Sequence, residues 1–131
     1  MPNRDQVAAL PVRKRADGTK EILLITARGK RRWLIPKGSR SRRLTDEEAA
    51  AREALEEGGV TGKTKSRPIG AYRHMRTNGG KGPRIIVFKL KVKRHHQSWM
   101  EQDERHRRWL PLSKAARLVR EVALRKLILE A

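Results

Sequence analysis

The segment from Thr45 to Val60 constrains the fold of this chain more than any other, because it predicts one helix with clearly marked ends. Thr45 and Glu48 have the Ser/Thr-x-x-Glu spacing of a capping box, which is typical of a helix N-terminus. Gly58 and Gly59 provide a residue that can adopt the left-handed conformation and end the helix. We therefore expect a helix between two loops, preceded by a strand that ends near Gly38.

Three glutamates lie within this predicted helix at positions i, i+3 and i+4, namely Glu53, Glu56 and Glu57. On an α-helix these positions fall within an arc of about 100°. Like charges at this spacing repel one another and destabilise the helix. A divalent cation relieves that repulsion, and hard carboxylate oxygens suit Mg²⁺ or Mn²⁺. The alternative from the pattern alone is a solvated, glutamate-rich helix face.

The stretch 38–60 resembles the signature of the Nudix hydrolases, Gly-x5-Glu-x7-Arg-Glu-U-x-Glu-Glu-x-Gly-U, where U is a bulky aliphatic residue. The matching positions are Gly38, Arg52, Glu53, Glu56, Glu57, Gly59 and Val60. Two positions depart from it: Leu44 stands where the signature has Glu, and Ala54 where it has an aliphatic residue. The resemblance implies an α/β fold, a Nudix-type α/β/α sandwich with a mixed β-sheet. At 131 residues we expect one domain, spanning 1–131.

The resemblance also implies roles for the signature residues. It implies that Glu53, Glu56 and Glu57 hold one or more Mg²⁺ or Mn²⁺ ions, with a backbone carbonyl at Gly38 completing the metal shell. We assign Glu57 as the first ligand and Glu53 as a ligand or the general base. Arg52 is predicted to orient the carboxylates through a charge-assisted hydrogen bond.

Other charged residues are candidates for contacts with substrate or metal. Basic residues in and before the loop that precedes the helix are predicted to hold phosphates: Lys37, Arg40, Arg42, Arg43 and Arg32. Two acidic residues stand in an otherwise basic region at Glu101 and Glu104. Relatives often supply an extra carboxylate from this loop, so either residue is a candidate further ligand or base. A loop held by salt bridges is the alternative for both.

Shorter segments resemble the branch that contains diphosphoinositol polyphosphate phosphohydrolases and their bacterial relatives. They are residues 7–11, 21–25, 32–38 and 107–110. This implies a phosphohydrolase that cleaves a phosphoanhydride in a polyanionic substrate, either an inositol pyrophosphate or a diadenosine polyphosphate. Two alternatives stay open. One is a pyrophosphohydrolase of RNA 5′ ends or nucleoside triphosphates, and the other is a non-catalytic Nudix-fold module that binds RNA or another polyanion.

The charge of the chain points to anionic partners. Its 33 Lys and Arg against 14 Asp and Glu give a formal net charge of +19, a field that concentrates anions near the surface. RNA is therefore a partner to consider beside a polyphosphorylated small molecule. Cysteine is absent, which excludes thiolate chemistry. Because no apolar run approaches about 18 residues and the N-terminus lacks a signal-like stretch, we expect a cytoplasmic protein without a membrane partner.

Alternation and turn residues predict the remaining elements. An amphipathic stretch with apolar residues at Leu118, Val122 and Leu127 is predicted at the C-terminus, with Ser113 as its helix cap. Asn78 to Gly82 predicts the turn of a long hairpin. The predicted strands are 6–13, 21–27, 32–35, 68–77, 83–94 and 107–110.

Overall fold

The computed structural model describes residues 5–29, 31–76 and 78–131. Within them the chain forms one mixed β-sheet and three helices. The strands are β1 (Gln6–Lys14), β2 (Lys20–Thr26), β3 (Trp33–Leu34), β4 (Lys37–Ser39), β5 (Val60–Thr64), β6 (Gly70–Met75), β7 (Lys81–His95) and β8 (Arg107–Pro111). The helices are α1 (Asp46–Gly58), α2 (Leu112–Leu118) and α3 (Val122–Leu129).

Strand β1 lies at the centre of the sheet, whose main order is β3-β2-β1-β7-β5. It runs antiparallel to β2 and parallel to β7, with Gln6 opposite Ile85 and Val12 opposite Lys91. The short strand β4 pairs with the beginning of β1, β6 pairs with β7, and β8 pairs with β2. Parallel and antiparallel pairs thus occur in one sheet, as expected for the α/β fold.

Helices cover both faces of this sheet, which confirms the predicted sandwich. Alternate residues of β1 supply the two cores, since successive strand side chains point to opposite faces. Val7 and Ala9 pack with α1, whereas Ala8 and Leu10 pack with α2 and α3. Ala54 of α1, one of the two departures from the family signature, is fully buried between the helix and the sheet. Its small side chain lets the helix approach the sheet closely.

The ends of α1 agree with the prediction. Thr45 accepts the N–H of Glu48 through its hydroxyl, and the Glu48 side chain accepts the N–H of Thr45, which completes the capping box. Gly59 ends the helix with φ 67°. The last turn of α1 has no basic residue, but Arg107 of β8 donates to the carbonyls of Gly58 and Gly59 at 2.9 and 3.3 Å. A distant arginine thus supplies the positive charge favoured at a helix C-terminus.

Most predicted strands are present with small shifts at their ends, and the hairpin is formed by β6 and β7. The last residue of its first predicted arm, Thr77, lies outside the described residues. Two strands went unpredicted. Gly38, expected in a turn, lies within β4 and pairs with Val7. Val60 begins β5, where a loop was expected, because it pairs with His95 at the end of the long β7.

The C-terminal prediction was wrong in detail. Strand β8 leads directly into α2 through Pro111, so Ser113 lies inside the helix and caps nothing. Two helices replace one amphipathic stretch because Val119 is extended, with φ −90° and ψ 151°. Leu118 and Val122 are consequently exposed, and the apolar residues of α3 that enter the core are Leu124 and Ile128.

Candidate active site

Two carboxyl groups of α1 face β4 across a very short gap. The side chain of Glu57 is only 8% exposed, and its Oε1 accepts the backbone N–H of Lys37 at 3.1 Å. A Cβ atom placed on Gly38 would lie 2.5 and 2.7 Å from the two carboxyl oxygens of Glu53. A side chain at position 38 would therefore force the carboxyl group of Glu53 to move away from β4.

Burial changes the protonation of this pair. It raises the pKa of Glu57 well above its usual range, and a hydrogen bond to Glu53 raises it further. Arg105, whose guanidinium lies 3.9 Å from Glu57, and the N–H of Lys37 act in the opposite direction. Burial also raises the pKa of Glu53. Two acidic groups thus share a poorly solvated space, where a proton or another cation offsets their mutual repulsion.

The third glutamate of the signature does not join this pair. The side chain of Glu56 is 30% exposed and lies 3.9 Å from Arg52, a distance too long for a hydrogen bond. Its charge nevertheless contributes to raising the pKa of Glu53. Across the described ranges, 5–29, 31–76 and 78–131, no three His, Asp or Glu side chains lie together in a group that could hold a metal ion. The structure therefore brings together Glu53, Glu57 and Gly38 of the predicted metal residues, with Glu56 at the margin.

Glu101 lies next to the C-terminal turn of α1, where its N–H donates to the carbonyl of Glu56 at 3.1 Å. Its carboxylate is bound by Arg105 at 2.7 Å and by Arg28 at 3.1 Å. Burial raises the pKa of Glu101, but the hydrogen bonds from Arg105 and Arg28 outweigh it and leave that pKa lowered. Glu104 is exposed and pairs with Arg28 at 3.0 Å.

Arg105 was missed by the sequence reasoning. Its side chain is 11% exposed and donates to the carbonyl of Thr26 at 3.0 Å, besides contacting Glu101 and approaching Glu57. It therefore ties the 96–106 connection to both β2 and the carboxyl pair. The available signal was the i, i+4 spacing of Glu101 and Arg105, although nothing in the sequence placed them beside α1.

The predicted phosphate-binding residues have different surroundings. Arg40 forms two parallel hydrogen bonds with Asp46, both 3.0 Å long. Arg42 and Arg43 are exposed in the same loop. Lys37 is partly buried, and burial lowers the pKa of its ammonium group. Of these four basic residues, Arg42 and Arg43 are thus the most accessible to a ligand.

A cavity of about 650 Å³ lies at the end of β4, although neither Glu53 nor Glu57 is in its wall. The wall of the cavity includes Ser39, which follows Gly38 in β4, and Gln6. The side chain of Gln6 accepts a hydrogen bond from the Nζ of Lys37 at 3.2 Å. The basic residues of the wall are Arg40, Arg76 and Lys81. Of these, Lys81 was not singled out by the sequence reasoning, because its place beside β4 depends on the pairing of β7 with β1.

Arg32, also predicted to hold substrate, is engaged by a buried carboxylate. Its guanidinium lies 2.7 Å from Glu121, which also accepts the N–H of Met75 at 2.9 Å. The Nδ1 of His74 is 3.5 Å from the same oxygen and, like the Nε of Arg32, has no hydrogen-bond partner within the described part of the chain. Burial, followed by the charges of Lys37 and Arg32, lowers the pKa of His74 to about 4.

Comparison with protein families identifies this architecture. The model of the NUDIX domain matches residues 2–130, and the chain belongs to the NUDIX family. It is 34% identical over 108 residues to the Arabidopsis thaliana protein named Nudix hydrolase 13, mitochondrial. The match covers 76% of this chain and 54% of that relative. It is also 34% identical over 131 residues to Nudix hydrolase 21, chloroplastic, of the same plant. That match covers 94% of this chain and 63% of the relative. The chain thus spans between half and two thirds of the length of these relatives.

Solved structures share the fold. An Ap4A hydrolase from C. elegans, in a binary complex, superposes with a TM-score of 0.71 at 21% identity, over 95% of this chain and 92% of that one. A NUDIX hydrolase from Nitrosomonas europaea superposes with a TM-score of 0.71 at 18% identity, over 98% of this chain and 87% of that one. No helix in the described part of the chain is long and apolar enough to cross a membrane. The cytoplasmic location remains a prediction, since the named relatives are called mitochondrial or chloroplastic.

Proposed function

We propose that this chain is a divalent-cation-dependent phosphohydrolase that cleaves a phosphoanhydride bond in a polyanionic substrate. The carboxyl pair of Glu53 and Glu57, buried against Gly38, is the observation that carries the proposal. A cavity with a basic wall lies at the end of the same strand, β4. Within the NUDIX family, such a site combines a cation-binding group with space for phosphates. We also propose that residues 1–131 act as one domain.

The donor set fits a hard divalent cation. Glu53 and Glu57 would hold Mg²⁺ or Mn²⁺ through oxygens that are poorly solvated and repel each other in its absence, with Glu56 and the carbonyl of Gly38 as further donors. When bound, the cation supplies charge neutralisation at the phosphoanhydride and lowers the pKa of a bound water. Arg105 and the N–H of Lys37 fix the position of Glu57.

The carboxylates of the site are candidates for the general base and for further metal ligands. Glu53 is our candidate for accepting the proton of the attacking water. Glu101 is a weaker candidate, because Arg28 and Arg105 occupy its carboxylate and lower its pKa. Glu104 is paired at the surface. Both remain candidate outer ligands, and Arg52 remains a candidate for orienting the carboxylates.

Phosphates of the substrate are proposed to lie along the basic wall of the cavity. Arg42 and Arg43 are exposed in the loop before α1 and would contact phosphates from there, and Arg40 and Lys37 would exchange their present partners for phosphate oxygens. Arg32 would have to leave Glu121 in order to do the same, so we expect it to position β3 and β6.

For the substrate we propose an inositol pyrophosphate or a diadenosine polyphosphate. The fold neighbour from C. elegans is an Ap4A hydrolase, which supports including diadenosine tetraphosphate as a probe. The charge of +19 also suits RNA, so a 5′-triphosphorylated RNA is the second candidate substrate. The buried carboxyl pair argues against a non-catalytic module, since it costs stability unless a cation is bound.

The test compares Mg²⁺-dependent hydrolysis of an inositol pyrophosphate, diadenosine tetraphosphate and a 5′-triphosphorylated RNA. We expect a clear preference for one of them, and Glu57→Gln should lower kcat by at least about 100-fold because the buried oxygens no longer form an anionic pair. Glu47→Gln is the matched control, since it makes the same change in the first turn of α1. Equal activity of Glu57→Gln and Glu47→Gln would contradict the site assignment. Absence of metal-dependent turnover on all three would favour the binding module.

A further inference from the structure

A second basic cavity lies far from the carboxyl pair. Its volume is about 350 Å³, and six lysines line it: Lys14, Lys20, Lys63, Lys65, Lys89 and Lys91. We call it the lysine pocket. The carboxyl pair packs near the start of β1, beside Val7 and Gly38, whereas the lysine pocket includes Val12 near its end. With about 3.3 Å per strand residue, the two sites are separated by roughly 17 Å along β1.

The two sites also lie on opposite faces of the sheet. Val12 belongs to the core beneath α2 and α3, and Lys91 is its direct partner on β7. The glutamates belong to α1, which packs against the other face. One small molecule cannot occupy both sites, so the proposed catalytic reaction does not account for the lysine pocket.

The pairing of the strands places like charges directly opposite one another in this pocket. Lys63 of β5 faces Lys91 of β7, and Lys14 of β1 faces Lys20 of β2. Such cross-strand pairs destabilise a sheet. Among the residues that the structure describes, none of the six lysines forms an ion pair with an Asp or Glu side chain. Within residues 5–29, 31–76 and 78–131, the one side-chain carboxylate that pairs with a residue of the pocket wall is that of Glu21, which binds Arg13.

The ammonium group of Lys89 is partly buried and is repelled by the neighbouring lysines of the pocket. Burial, followed by the charges of Lys20, Lys65 and Lys91, lowers the pKa of its ammonium group. Its Nζ and that of Lys20 both donate to the carbonyl oxygen of Ala131, at 3.2 and 2.8 Å. Two ammonium groups therefore converge on one backbone oxygen, which leaves most of their donors available to an anion.

Protection of a sheet edge explains only part of this arrangement. Lysines are common on edge strands, where they oppose aggregation, and β5 lies at the edge. That accounts for Lys63 and Lys65. It does not account for Lys89 and Lys91, which belong to β7 between two neighbours, or for Lys20 on β2.

We propose that the lysine pocket binds a compact anion that carries three or more phosphoryl groups. Lysine ammonium groups act as point charges that suit phosphate oxygens without demanding one orientation. Among the residues described, no aromatic side chain lines the cavity to stack on a base, and its volume fits a small anion better than a nucleic-acid strand. The ligand would neutralise the opposed lysine pairs and stabilise the fold.

The experiment is calorimetric titration with inorganic tripolyphosphate and, separately, inositol hexakisphosphate, in EDTA so that the carboxyl pair is metal-free. Two double variants are compared, Lys63→Gln/Lys91→Gln in the pocket and Lys114→Gln/Lys126→Gln on α2 and α3. All four lysines are exposed, and both variants lower the net charge equally. We expect one site, with Kd raised at least tenfold in the first variant and changed less than twofold in the second.

Other outcomes would overturn the proposal. Equal weakening in both variants would mean that the overall charge, not the pocket, attracts anions, and absence of binding by either probe would mean that no such site exists. Tighter binding of a single-stranded RNA, with the same dependence on both variants, would indicate a diffuse nucleic-acid surface. A folding control is available, because the Tm of Lys63→Gln/Lys91→Gln without ligand should rise once the opposed charges are removed.

Discussion

Lowering the pH from 7 to 5 should destabilise this protein through His74. The imidazole is largely buried, with 18% of its side chain exposed, and its Nδ1 is 3.5 Å from Glu121. That carboxylate does not favour the imidazolium enough, because Arg32 already neutralises it at 2.7 Å. Burial and the nearby charges of Lys37 and Arg32 therefore lower the pKa of His74 to about 4.

The sign and size of the effect follow from linkage. In the unfolded chain His74 titrates near 6.5, so the unfolded state takes up a proton as the pH falls from 6.5 to 4 while the folded state remains neutral. The contribution of neutral His74 to the free energy of unfolding is therefore fully present well above pH 6.5 and is lost as the pH falls toward 4. One pKa unit corresponds to about 1.4 kcal/mol, which gives a loss of about 2 kcal/mol between pH 7 and pH 5.

Urea unfolding at pH 7, 6 and 5 measures this loss, provided that His74→Gln is examined in parallel. Carboxylates titrate in both proteins, so the difference between the two pH dependences isolates His74. We expect the wild type to lose about 2 kcal/mol more than the variant. Parallel pH profiles would refute the reasoning, and a smaller loss in the wild type would show that the attraction of Glu121 exceeds the cost of burial.

Two further predictions concern α1. Gly38→Ala should lower kcat at least about 100-fold, because its Cβ would displace the carboxyl group of Glu53, and steady-state kinetics with circular dichroism as the folding control would test this. Unchanged turnover would show that Glu53 need not contact β4. Thr45→Ala should reduce the free energy of unfolding by about 1 kcal/mol through loss of the capping box, whereas Thr45→Ser should not. Equal stability of the two variants in urea would show that the cap contributes nothing.

The parts of the fold that depend on local sequence could be predicted. The capping box and the left-handed glycine act within a few residues, so both ends of α1 were correct. β4 and β5 were missed because they are short and are held by pairing with β1 and β7. The break between α2 and α3 was missed because no Gly or Pro marks it, and Glu121 there is held by Arg32 from a distant strand.

In the candidate site, too, the features set by local sequence could be predicted and those set by tertiary contacts could not. Helical spacing predicted that the three glutamates share a face, whereas the close approach of Glu53 and Glu57 to β4 depends on how α1 is rotated against the sheet. The ion pair of Glu101 with Arg28 could not be predicted, since it joins two separate loops, whereas the i, i+4 spacing of Glu101 and Arg105 is a local signal. Residue types indicated which groups are present, and tertiary pairing decided which partners they have.

The position of β1 has a consequence for how the chain folds during synthesis. This central strand begins at Gln6, yet its parallel partner β7 ends at His95. On the ribosome, this apolar strand therefore lacks one neighbour until β7 has been made. Contacts so distant in sequence give a high contact order, which slows folding. Early translation should thus produce an aggregation-prone intermediate with an unpaired strand edge, and chaperones that cover apolar strands should improve the yield.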